Sequence, residues 1–112
     1  MANLEVDFLG MHLKNPFVLA SGILGTSPSL MERCALEGAG GITSKSCGPE
    51  PRVGHANPVA IAWEGGVINA IGLTNPGAAE EVDLLRKTKK RLAAMNVPLF
   101  ASIFAPTVTQ FG

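Results

Sequence analysis

Three short apolar runs constrain this chain more than anything else in it: FVLAS at 17–21, GGITSKSC at 40–47 and LFASIFA at 99–105. Each holds consecutive apolar residues instead of alternating ones. A strand of that kind has no polar face to give to water, so it suits a parallel sheet covered on both sides. Segments of helical character separate the runs. In TSPSLMERCALEGAG, Ser27 can cap an N-terminus and Pro28 can occupy the first helical position. Leu30, Met31, Cys34 and Ala35 supply its apolar face, and the glycines at 38, 40 and 41 end it. A second helix is predicted to start at Asn75 and Pro76 and to run to about Met95, with Val82, Leu85, Leu92 and Met95 facing inward. Its acids, Glu80, Glu81 and Asp83, come early, and Arg86, Lys87, Lys89, Lys90 and Arg91 come late, as the helix dipole favours. That basic end reads as a solvated surface.

Two further segments complete the order. Leu4, Val6 and Phe8 alternate with polar neighbours, and Met11 and Leu13 follow Gly10, a pattern that predicts a short hairpin. Between the second strand and the second helix lies GPEPRVGHANPVAIAWEGG, which reads as a long loop rich in Pro and Gly. The predicted order is hairpin, strand, helix, strand, loop, helix, strand. This is an α/β chain built on a parallel sheet.

The bulk numbers exclude several classes. A length of 112 residues fits one domain, and a hydrophobic fraction of 46% argues against disorder. Nine basic and nine acidic residues leave no net charge to attract nucleic acid or an anionic membrane surface. No apolar run is long enough to span a bilayer, and MANLEVDFLG lacks the basic start and apolar stretch of a signal peptide, which predicts a cytoplasmic protein. Cys34 and Cys47 form neither a CxxC pair nor a metal-ligand spacing, so both are expected to be reduced and structural. His12 and His55 have no neighbouring Asp–Ser constellation, so neither a hydrolase triad nor a metal site is expected.

Candidate chemistry collects at the ends of the strands, where α/β folds place their ligands. Lys45 sits in Ser44-Lys45-Ser46, past the apolar part of its strand. An ammonium there needs an anion, a carboxylate or a route to solvent. Position alone leaves those readings open. Neither a phosphate-binding loop nor a dinucleotide fingerprint fits, because the glycines precede the strand and Ser44, not Gly, precedes Lys45. Ser21-Gly22 ends the first strand, where Gly would let a ligand approach the backbone or simply turn the chain. The sharpest candidate is INAIGLTNPG at 68–77. Asn75 as N-cap with Pro76 behind it accounts for the last residues. It does not account for Asn69 and Gly72 among apolar neighbours, which together could show amide and main-chain groups to a planar, anionic molecule.

These pieces, in this order, resemble dihydroorotate dehydrogenases of the soluble class 1 type. The match is carried by NPFVLASG (15–22), TSKS (43–46), EPRVGHANP (50–58) and NAIGLTNPG (69–77), and the last looks most like the class 1B branch. The resemblance implies a (β/α)8 TIM barrel with FMN above the C-terminal strand ends. About three of its eight strands fall in residues 1–112, which would form a single incomplete domain preceded by the hairpin. It implies that Ala20, Ser21, Gly22, Lys45, Ser46 and Ser102 contact FMN. It also implies that Lys45, Asn69, Ala70, Ile71, Gly72 and Leu73 hold dihydroorotate or orotate. Ser102 stands where family members often carry Asn. The family's catalytic base, a Cys, is expected beyond the last residue, since neither Cys34 nor Cys47 matches it. No catalytic residue is therefore expected within the 112. A homodimer, and a partner subunit carrying FAD and a [2Fe-2S] cluster, are further implications. Two alternatives remain: a related flavin enzyme such as dihydropyrimidine dehydrogenase, and a non-catalytic half-barrel that serves in assembly.

Overall fold

The structure, a computed structural model, describes residues 2–111. The predicted hairpin forms: β1 (Val6–Phe8) pairs antiparallel with β2 (Met11–Leu13), with Phe8 opposite Met11 across the Leu9-Gly10 turn. Phe8 sets its ring edge-on against Phe100, centroids 5.9 Å apart, and so ties the hairpin to the sheet.

The three apolar runs supply a three-stranded parallel sheet. Its strands are β3 (Val18–Leu19), β4 (Gly41–Thr43) and β7 (Leu99–Phe100), in the order β3-β4-β7. Ile42 lies between Leu19 and Leu99 in register. Regular strand is brief, but pairing continues past it: Ser44 N–H donates to Phe100 O at 2.9 Å, and Cys47 N–H to Ser102 O at 3.0 Å. The expectation of strands buried on both faces holds for β4 alone. Phe17 and Val18 on one side, and Ile103 past β7, stay exposed at 68%, 40% and 62%. They lie at the two edges of the sheet, where no further strand or helix of the described residues covers them.

Helix α1 (Pro28–Leu36) starts as predicted. Ser27 is extended at φ −149°, and its Oγ accepts from Leu30 N–H at 3.4 Å. At its end, Gly38 and Ala39 return N–H bonds to Ala35 O and Cys34 O, closing the last turn. Helix α2 (Ala78–Ala93) differs from expectation in two ways. Its N-cap is Gly77, without any side-chain cap, so Asn75 is not the cap. Its inward face is also rotated: Glu81, Thr88 and Leu92 are buried, while Val82 is 52% exposed. The reason is contact. α2 packs against α1 and β7, and the stripe in step with Leu92 is the one that meets them.

Met31, Ala35, Ile42, Leu92 and Val97 form the core between helices and sheet. Each fully buried Met, Ile or Leu stabilises by about 1.5–3 kcal/mol. The segment expected to be a long loop contains a second hairpin instead, β5 (Ala60–Trp63) with β6 (Gly66–Asn69), turning at Glu64-Gly65. Every residue of it is exposed.

Candidate functional site

The C-terminal ends of β3, β4 and β7 lie side by side, and each is followed by a serine. Ser46 Oγ lies 2.9 Å from Ser21 Oγ and 2.8 Å from Ser102 Oγ. One chain of hydroxyls thus crosses three strand ends. A fourth hydroxyl, Ser44 Oγ, accepts from Ser102 N–H at 3.2 Å and donates to Lys45 O at 3.3 Å. Ser44 is fully buried, and its role was not foreseen.

Lys45 is anchored through its backbone, its N–H donating to Gly25 O at 2.8 Å. A Cβ on Gly25 would come within 2.7 Å of Lys45 N and Thr43 O, so only glycine lets this loop lie against the strand end. The Lys45 side chain is half-buried and lines a cavity of about 480 Å³ together with Gly22, Ile71, Asn75, Glu80 and Glu81. No carboxylate lies within 4 Å of it among the described residues.

Asn69 to Leu73 is held by the loop that precedes the second hairpin. His55 N–H donates to Ile71 O at 3.1 Å, and His55 Nδ1 lies 2.8 Å from Ala70 O. Thr74 Oγ1 donates to Val53 O at 2.9 Å. Gly72 has φ +82°, and a Cβ there would sit 2.9 Å from His55 N, so the turn requires glycine twice over. Asn69 itself ends β6, opposite Ala60, on a hairpin and not on the parallel sheet. Of the expected substrate residues, Ile71 and Lys45 share the cavity; Asn69, Ala70, Gly72 and Leu73 do not line it. Of the expected flavin residues, Gly22 lines it, Ser21, Ser46 and Ser102 make the hydroxyl chain, and Ala20 is exposed beside Ser21.

Asn75 has a different task from the one expected. Buried to 7% exposure, its Oδ1 accepts from Gly77 N–H at 3.0 Å and Gly48 N–H at 3.3 Å, and its Nδ2 donates to Leu73 O at 2.8 Å. It stitches the strand end at Gly48 to the entry of α2. Cys47 Sγ also donates to Asn75 Oδ1 at 3.4 Å. Burial, and then the negative charge of Glu81, push the Cys47 thiol up from its ordinary value, so it is a neutral thiol at pH 7. Glu81 was missed as a site residue. Its spacing from Leu84, Thr88 and Leu92 was the signal that it faces inward.

This arrangement defines a class: an α/β chain whose strand ends carry a chain of serine hydroxyls and, beside it, one lysine that lines a cavity. The dihydroorotate dehydrogenase family model matches residues 3–111, and the chain belongs to that family. It is 43% identical over 96% of its length to the catalytic subunit of dihydroorotate dehydrogenase B (NAD(+)) from Pyrococcus abyssi, of which it covers 34%. The catalytic subunit of the same name from Methanocaldococcus jannaschii is 40% identical over 96% of the chain, which covers 35% of it. That from Methanocella arvoryzae is 44% identical over 91%, with 33% covered. The chain thus spans about a third of the length of the curated relatives it matches.

Proposed function

We propose that the chain supplies one wall of the flavin and substrate site of a dihydroorotate dehydrogenase, which oxidises dihydroorotate to orotate in pyrimidine synthesis. In this reading residues 1–112 are a single incomplete domain carrying about three strands of an eight-stranded barrel. The observation that supports it most is the lysine-lined cavity beside a continuous hydroxyl chain at three adjacent strand ends. That donor set fits the polar edge of FMN. Ser21, Ser46 and Ser102 can each give and take a hydrogen bond, Ala20 and Gly22 leave room at the strand end, and Lys45 contributes a cation.

When bound, FMN supplies the acceptor for the hydride of dihydroorotate. The chain's own residues then bind and orient. Lys45 sets a fixed positive charge where negative charge gathers during oxidation, a preorganised contribution that water could not match. Asn69 to Leu73 clamp the pyrimidine through an amide and main-chain groups, and the His55 and Thr74 bonds hold that segment still. The proton is removed by a base outside these residues. A homodimer, and a partner subunit carrying FAD and an iron–sulfur cluster, complete the proposal. The relatives' printed name, with NAD(+) as acceptor, favours that partner.

The test is colour and turnover. In an assembled catalytic subunit containing this chain, a yellow flavin spectrum that bleaches with dihydroorotate is expected. The purified 112 residues alone are expected to give no dihydroorotate-dependent dye reduction. Turnover by the chain alone, or a colourless assembled subunit, counts against the proposal.

A further inference from the structure

The pairing of β4 with β7 changes step beyond the regular strands. Thr43 is opposite Phe100, but Cys47 is opposite Ile103. One chain advances four residues, 43 to 47, while the other advances three, 100 to 103. The β4 side therefore carries one extra residue, a bulge, with Lys45 and Ser46 set against Ser102 alone. A bulge of this kind re-aims a side chain out of the strand's alternation. Ser44 opens it. Its N–H makes the regular ladder bond, to Phe100 O at 2.9 Å. An unbroken parallel ladder would return Ser102 N–H to the main-chain carbonyl of Ser44. Ser102 N–H donates instead to Ser44 Oγ at 3.2 Å, and the same hydroxyl donates to Lys45 O at 3.3 Å. The ladder then resumes one residue late, with Cys47 N–H on Ser102 O at 3.0 Å. Ser44 is completely buried, where a hydroxyl is costly unless bonded, and both of its bonds serve the bulge. Thr88, equally buried, keeps its bond within its own helix, to Leu84 O.

We propose that Ser44 is a positioning residue for Lys45: its hydroxyl stands in for a main-chain acceptor, holds the bulge open and so sets Lys45 in the cavity wall. The Lys45 backbone is held at both of its peptide groups. Its N–H donates to Gly25 O at 2.8 Å, and its carbonyl accepts from Ser44 Oγ. From that fixed backbone the side chain lines the cavity with Gly22, Ile71 and Asn75. In Ser44→Ala the side-chain acceptor for Ser102 N–H and the donor to Lys45 O disappear together, and Lys45 loses its fixed place. What Lys45 does in the reaction rests on the function proposed above; the bulge and the two bonds of Ser44 do not.

The test is a double-mutant cycle in the assembled catalytic subunit: wild type, Ser44→Ala, Lys45→Ala and the two combined, each with flavin bound. Two quantities are read, the stopped-flow rate of flavin reduction by dihydroorotate and the midpoint potential of the bound flavin. In Ser44→Ala the rate is expected to fall by up to about 10²-fold, the cost of a group displaced by about 1 Å. The potential is expected to fall too, since a well-placed positive charge favours the reduced, more negative flavin. In the Lys45→Ala background, Ser44→Ala is expected to change neither, because it acts through the lysine. A near-normal rate and potential in Ser44→Ala overturn the inference. Equal losses in both backgrounds also overturn it, since a general structural role would produce them. A near-normal rate in Lys45→Ala overturns the role given to Lys45, and this inference with it. If Ser44→Ala does not retain flavin, Ser44→Cys decides, being similar in shape but a weaker donor and acceptor. A loss seen only where Lys45 is present supports the inference; no loss, or an equal loss without Lys45, overturns it.

Discussion

Lys45 and Glu81 share a cavity wall, but they became visible in different ways. Lys45 could be read from the sequence because a cation at the end of an apolar strand has few places to go. Glu81 could not, because an acid in the first turn of a helix looks like ordinary dipole compensation until packing shows which way it faces. Its burial has a consequence for stability. A carboxyl whose folded pKa is raised binds its proton more tightly folded than unfolded, so stability falls as pH rises from the ordinary value of 4.5 through the raised one. Denaturant unfolding across that window is expected to show this loss in the wild type and a smaller one in Glu81→Gln; equal slopes would contradict it. Gly25 is the other decisive residue. Gly25→Ala forces a Cβ to within 2.7 Å of two backbone atoms and should cost about 1–3 kcal/mol, read as a lower denaturation midpoint.

At the scale of elements, both helices and the parallel order were legible, because each rests on local signals: a serine cap, glycine stops and runs of apolar residues. What failed needed tertiary information. The face of α2 is set by what it meets, so Thr88 is buried, donating to Leu84 O at 2.9 Å, while Val82 is left outside. The β5–β6 hairpin escaped notice because AIAW and GVIN are nearly all apolar and show no clean alternation, and its turn is Glu-Gly instead of Asn-Gly. Asn75 looked like a cap because Asn before Pro often is one; its amide instead serves Gly48 and Gly77. Asn75→Ala would leave those N–H groups buried without partners, at a cost of about 1–3 kcal/mol, and would loosen the entry of α2. Hydrogen exchange at Gly48 and Gly77 checks this: faster exchange is expected, and unchanged protection would contradict the role.

At the scale of the molecule, the chain spans about a third of the length of the curated relatives it matches. Hydroxyls, lysine and cavity sit at one end of three strands, while apolar surface is left open beside them. Val82, Ile103 and Phe111, which line one pocket, and Val108 are each more than half exposed, and the β5–β6 hairpin exposes Ile61, Trp63, Val67 and Ile68. The 112 residues alone are therefore expected to bind an apolar dye and to self-associate in sedimentation; a dye-free monomer would contradict this. The family was legible because its residues lie in short contiguous pieces such as NAIGLTNPG, whose order survives in one chain. The geometry that unites Ser21, Ser46 and Ser102 was not, since hydrogen bonds between residues up to 56 positions apart exist only in the folded sheet. The most direct measurement is stopped-flow reduction of the flavin by dihydroorotate in the assembled catalytic subunit, with Lys45 intact and as Lys45→Ala. Loss of a preorganised charge at the reacting centre predicts a fall of about 10²–10³-fold in the reduction rate. A near-normal rate with flavin still bound would contradict the role assigned to this chain.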